Sequence, residues 1–87
     1  MNKPLKICYF AWLREQIGSA QEDFAIPVGI NTLGALIDHL STRNATYARA
    51  FRNREAIRCA INQEFADRAF PVHPGDEVAF FPAVTGG

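Results

Sequence analysis

The chain reads as an α+β domain, a mixed sheet of four to five strands with one main helix packed across it. Three observations predict this. Leu33, Leu36, Ile37 and Leu40 recur at i, i+3, i+4 and i+7, the apolar stripe of a helix lying on a sheet. Short runs rich in β-branched and aromatic residues flank that helix on both sides, around Leu5, Phe24, Ile57 and Val78. Their order is strand, short helix, strand, long helix, then two or three strands, with no internal repeat or low-complexity segment.

Residues 5–10 make the first strand, with Ile7 and Tyr9 on one face and Lys6, Cys8 and Phe10 on the other. Apart from Lys6 both faces are apolar, so both are expected to be covered. Ala11–Ile17 forms a short helix with Leu13 and Ile17 four apart, stopped by Gly18. Trp12 is open between a core-edge role and a contact role. Residues 22–26 alternate as a half-buried strand, with Phe24 and Ile26 inward, and end at Pro27. Thr32 caps the main helix, expected over 33–43, and His39 falls off its apolar stripe and is expected to be exposed. Tyr47, Ala48 and Phe51 suggest another short turn of helix, with Arg49, Arg52 and Arg54 on a solvated face. Residues 56–61 are the third strand, which Asn62-Gln63-Glu64 turns into a short partner around Phe65. Pro71 and Pro74 keep 68–74 at an edge or in a loop; Pro74-Gly75-Asp76 is a turn, and 78–81 the closing strand.

A chain of 87 residues is expected to be one domain, 1–87, burying a little over about 60% of its unfolded surface. The formal net charge of zero leaves no basic excess to hold phosphate backbones, so nucleic acid is not an expected partner; it also favours association over self-repulsion. No segment has the length and apolarity to span a membrane. Met1-Asn2-Lys3-Pro4 lacks the features of a secretory signal, so a cytoplasmic location is expected. Cys8 and Cys59 sit in apolar, strand-like runs and read as two buried thiols rather than metal ligands. No nucleophile–base constellation, glycine-rich phosphate loop or cluster of metal ligands stands out, and His39 and His73 lie on different elements. Glu15, Glu22 and Asp23 read as exposed helix ends and strand starts. The chain is not expected to catalyse alone.

The closing residues carry the chemistry. Asp76-Glu77-Val78-Ala79-Phe80-Phe81-Pro82-Ala83-Val84-Thr85-Gly86-Gly87 leaves a turn, runs as an apolar strand and ends on two glycines. A terminal Gly-Gly puts a carboxylate on a thread without side chains, slim enough for a narrow channel. Because the glycines follow so soon on Phe-Phe-Pro, the thread (83–87) is expected to project from a fixed strand. This stretch resembles the C-terminal signature of the molybdopterin synthase small subunits, a ubiquitin-like sulfur-carrier family. Ile7-Cys8-Tyr9-Phe10-Ala11-Trp12-Leu13-Arg14-Glu15 is similar to that family's first strand and following helical turn, and Ala60-Ile61-Asn62-Gln63 to its third strand and hairpin.

The resemblance implies a ubiquitin-like β-grasp fold with the first and last strands side by side at the centre of the sheet. It implies no permanently bound cofactor. Instead an ATP-dependent activating enzyme adenylates the carboxylate of Gly87, a sulfur donor converts the glycyl adenylate to a terminal thiocarboxylate (1-thioglycine), and the large synthase subunit receives the tail. There cyclic pyranopterin monophosphate takes up two such sulfurs as a dithiolene, in a heterotetramer of two small and two large subunits. By position, Gly87 carries the sulfur, Gly86, Thr85 and Val84 thread the tail, and Phe80, Phe81 and Pro82 meet the partner. Arg14 is also placed near the partner, with a solvated arginine as the alternative. The Gly-Gly tail suits other destinations as well, among them thiamine-type thiazole synthesis, a non-covalent ubiquitin-like interaction module around Phe80 and Phe10, and conjugation to lysines. One departure is visible: the family usually reads Phe-Pro-Pro-Val, and here the second proline is Ala83. Losing that stiffness is expected to weaken docking slightly if nothing compensates.

Overall fold

A computed structural model describes residues 3–83. Five strands, β1 (Leu5–Tyr9), β2 (Gln21–Phe24), β3 (Ile57–Ile61), β4 (Glu64–Ala66) and β5 (Glu77–Pro82), form one mixed sheet in the order β2-β1-β5-β3-β4. The central pair is β1 and β5, parallel, with Ile7 opposite Val78 and Tyr9 opposite Phe80. All other pairings are antiparallel. The helices are α1 (Ala11–Ile17), α2 (Leu33–Ser41) and α3 (Ala45–Ala50), followed by a 3₁₀ turn over Arg54–Ala56.

Period-two alternation decides which side of the sheet is buried. Leu5, Ile7 and Tyr9 of β1, Val78 and Phe80 of β5 and Ile57, Cys59 and Ile61 of β3 point one way and join a single core cluster. The buried positions of all three helices join the same cluster: Leu13, the stripe Leu33, Leu36, Ile37 and Leu40, and Ala50. Burying each of the leucine, isoleucine, valine and phenylalanine side chains among these stabilises the fold by roughly 1.5–3 kcal/mol. Phe51, just past α3, is fully buried among them, and Trp12 packs against the cluster half-buried, which makes it a core-edge residue.

Residues 5–9 are covered on the helix side alone. On the opposite side Cys8 is buried by its neighbours in the sheet, whereas Phe10 stays half-exposed, so the expected second cover is absent among the described residues. At the turn into α1, Ala11 adopts φ 52, a left-handed conformation that costs an alanine roughly 1–2 kcal/mol. The main helix is capped as expected, Thr32 Oγ1 accepting from the Ala35 N–H at 3.2 Å. Two further N–H groups of its first turn, on Leu33 and Gly34, donate to the Phe70 and Arg68 carbonyls of the loop that passes over the helix start. The helix ends at Ser41, two residues short of the expected limit, and His39 is half-covered, its ring 5.7 Å from that of Phe24. Asn62 and Gln63 form the β3–β4 turn with φ 51 and 72, the paired positive values of a tight hairpin.

Candidate functional site

The alternation that buries Phe80 turns its half-buried neighbour Phe81 to the other side of the sheet. Phe80 has no solvent exposure: it stacks on Tyr9 at 6.1 Å between ring centroids and meets Phe51 edge-on at 5.1 Å. The partner-contacting role expected for Phe80 is therefore corrected to a core role, because odd and even residues of β5 face opposite sides of the sheet. Phe81 lies on the open side, paired in register with Arg58, as does Phe65, whose ring stands 5.8 Å from that of Phe81. Together with Pro82 these residues line a surface groove of about 540 Å³. Phe65 is 81% exposed and Phe10, at the end of β1 on the same side, 50%. Cys8, Ala79 and Ala60 run between them in register across three strands, so the open face carries an apolar band bounded by aromatic rings. Phe65 was legible in the sequence only as the middle of a short strand. Its side of the sheet depends on the register Ala60 opposite Phe65, which no local pattern states.

Beyond Phe81 the chain stays tied to β3. Ile57 lies opposite Pro82, and the Ala83 N–H donates to the Ala56 carbonyl at 2.8 Å. A proline at 83 has no such donor, so the backbone bond offsets the stiffness expected to be lost with alanine there. Val84, Thr85, Gly86 and Gly87 lie outside the described residues. Arg14 is exposed on α1; its carbonyl accepts from the Gly18 N–H, and its side chain makes no ion pair among the described residues.

Neither thiol supplies a ready nucleophile. Burial pushes the Cys59 thiol up to about 11, and burial together with the nearby Glu77 carboxylate raises that of Cys8. Both are free cysteines, as expected. Glu22, in contrast, is corrected from an exposed strand start to a half-buried hub on the core side of β2. It accepts hydrogen bonds from the Tyr9 hydroxyl at 2.8 Å, the Tyr47 hydroxyl at 2.8 Å and the Arg43 guanidinium at 2.9 Å. Burial alone would raise its carboxyl, but these three donors and the Arg43 charge outweigh it and hold the pKa below the usual value. The Arg43 guanidinium also lies over the Phe24 and Tyr47 rings, at 5.3 and 4.5 Å. Arg54, expected on a solvated face, is instead paired with Asp38 at 2.9 Å and bonded to the Phe51 carbonyl.

A family model described as the ThiS family matches residues 7–87. The chain belongs to the ThiS family. Among curated relatives it is 35% identical, over 83 residues, to the molybdopterin synthase sulfur carrier subunit of Escherichia coli, with 95% of this chain and 99% of that protein covered. It is 37% identical, over 87 residues, to the molybdopterin synthase sulfur carrier subunit of Haemophilus influenzae, again with 95% and 99% covered. Its fold superimposes on the crystal structure of the small archaeal modifier protein 1 of Haloferax volcanii with a TM-score of 0.72, at 26% identity, covering 94% of this chain and 99% of that one. The ubiquitin-like β-grasp fold expected of this ThiS-family chain is thereby established, as is the central pairing of its first and last strands. Among the described residues no helix is long and apolar enough to cross a membrane.

Proposed function

We propose that this chain is the sulfur carrier subunit of a molybdopterin synthase and that its reactive group is the carboxylate of Gly87. The similarity that carries this reading is the 35–37% identity, over almost the full length of both chains, to two proteins named for that role. The fold supports it, because the strand that leads to the Gly-Gly tail is central in the sheet and hydrogen-bonded on both sides.

A carboxylate is a poor electrophile, being anionic and having only oxide to expel. Adenylation by an ATP-dependent activating enzyme gives an acyl-adenylate, and sulfur from a donor displaces AMP to leave a thiocarboxylate on Gly87. Its nucleophilic sulfur is delivered, through Gly86, Thr85 and Val84, to cyclic pyranopterin monophosphate held by a large subunit. That subunit provides the acid–base groups, and this chain provides position. The docking surface is the open face around Phe81 and Pro82, extended by Phe65 and Phe10, with Arg14 on the adjoining α1. Exposed aromatic rings around an apolar band are the kind of surface a partner buries. Both the adenylate and the thioglycine are transient states of the tail, and no resident cofactor is part of the scheme.

Intact mass after incubation with ATP, a cognate activating enzyme and a sulfur donor tests the reading. Replacement of one oxygen by sulfur in the full chain, and its absence when Gly87 is deleted, is the expected result. A full chain unchanged in mass, with an enzyme active on another carrier, would refute it. The superposition on a small archaeal modifier protein favours one second reading, in which Gly87 is joined to a lysine amine of another protein. Isopeptide-linked species that vanish with Gly87 would mark that outcome.

A further inference from the structure

We propose that Ala83 is a positioning residue for the sulfur-bearing tail, acting through its backbone N–H; this rests on the carrier reading above. Strand β5 is bonded on both sides, and its residues alternate between them. The carbonyls of Asp76 and Phe80 accept from Lys6 and Phe10 on the β1 side, at 3.0 and 3.1 Å. Toward β3, the carbonyl of Glu77 accepts from the Asn62 N–H, and the Ala83 N–H donates to the Ala56 carbonyl, each at 2.8 Å. Even-numbered residues thus address β1 and odd-numbered ones β3.

Pro82 is even. The N–H it lacks falls on the β1 side, past the last bond to Phe10, so a proline there forfeits no ladder bond. Ala83 is odd, and its N–H is the donor that carries the β3 ladder one residue past Pro82. The acceptor is itself anchored: Ala56 closes the 3₁₀ turn whose Arg54 is held by Asp38 of α2 and by the Phe51 carbonyl. The tail therefore originates at Ala83 on a tethered turn. Four residues follow it in the sequence, a reach of at most about 14 Å when fully extended. Holding the origin of the tail leaves less conformational freedom to be lost when the tail enters a partner's channel.

The test compares the full-length parent chain with Ala83→Pro, which removes the donor, and Ala83→Gly, which keeps it. In the parent, the Ala83 amide is expected to exchange with solvent at least tenfold more slowly than an unstructured amide. In sulfur transfer by the cognate large subunit, Ala83→Pro is expected to raise the KM for the loaded carrier about two- to fivefold, the loss of one hydrogen bond less what the stiffness of the proline ring returns. Its kcat is expected to stay within twofold, and Ala83→Gly to raise KM less than Ala83→Pro does. A merely structural role would lower the melting temperature without separating KM from kcat. An unprotected Ala83 amide, or an Ala83→Pro carrier with unchanged or lower KM, overturns the proposal. A parent chain that never acquires sulfur overturns the carrier reading and the role in transfer together, even where the amide is protected, so the two failures are told apart.

Discussion

Phe80 and Phe81 are adjacent, chemically identical and assigned opposite tasks by a half-turn of the strand. Removing the Phe80 ring empties a site bounded by Tyr9 and Phe51. Phe80→Ala is expected to destabilise the fold by about 3–5 kcal/mol in denaturant titration. Phe81→Ala is expected to change stability by less than about 1.5 kcal/mol while weakening binding to the large subunit at least about tenfold in titration calorimetry. Equal effects of the two variants on stability would contradict the assignment of faces. Glu22 makes a second prediction at this scale. Its folded pKa lies below the unfolded value, so its stabilisation is complete above the ordinary carboxylate range and is lost as pH falls through the folded pKa. Glu22→Gln is expected to cost about 1–3 kcal/mol at pH 7. The gap between the two melting temperatures is expected to narrow as pH drops below about 4.5. A gap independent of pH would show that the three donors do not depend on the carboxylate charge.

Among the elements, the β3–β4 hairpin carries measurable strain. Asn62 tolerates its left-handed backbone and is held further by its side chain, which donates to Asp76 at 3.1 Å and accepts from the Glu77 N–H at 3.0 Å. Gln63 has no comparable compensation among the described residues and sits at φ 72. Gln63→Gly is expected to stabilise the chain by about 0.5 kcal/mol, relief of the left-handed strain exceeding the added freedom of the unfolded chain. A rise in the denaturation midpoint at constant slope would record it, whereas a fall would mean that Gln63 is held by contacts of its own. The main helix was legible because its stripe is local: all four apolar positions predicted for the core are buried, and Thr32 caps it. The helix ends two residues early, at Ser41, where the Thr42 N–H and hydroxyl both donate to the His39 carbonyl, and the third strand starts one residue late, after a 3₁₀ turn that takes in Ala56.

For the whole molecule, the sheet order β2-β1-β5-β3-β4 places the beginning and end of the described chain side by side. The tail root is therefore supported by two neighbouring strands and by the core beneath Phe80. On this arrangement, deletion of Gly86 and Gly87 is expected to leave the melting temperature within about 1 °C of the parent while abolishing sulfur uptake. Calorimetry and intact mass check the two halves separately. The parallel pairing of β1 with β5 joins residues some seventy positions apart, and no run of neighbouring residues announces such a contact. By itself the sequence determined what is short-range: the apolar stripe of the helix, the caps and turns, the alternation in each strand, and the Gly-Gly tail with its resemblance to sulfur carriers. Only the tertiary structure decided which side of the sheet the helices cover. With that came the core role of Phe80, the outward place of Phe65 and Phe81, the hub at Glu22 and the bond that holds Ala83. The physical reason is that propensity and periodicity are fixed by neighbouring residues, whereas burial and hydrogen-bond partners depend on which distant strands the register brings together.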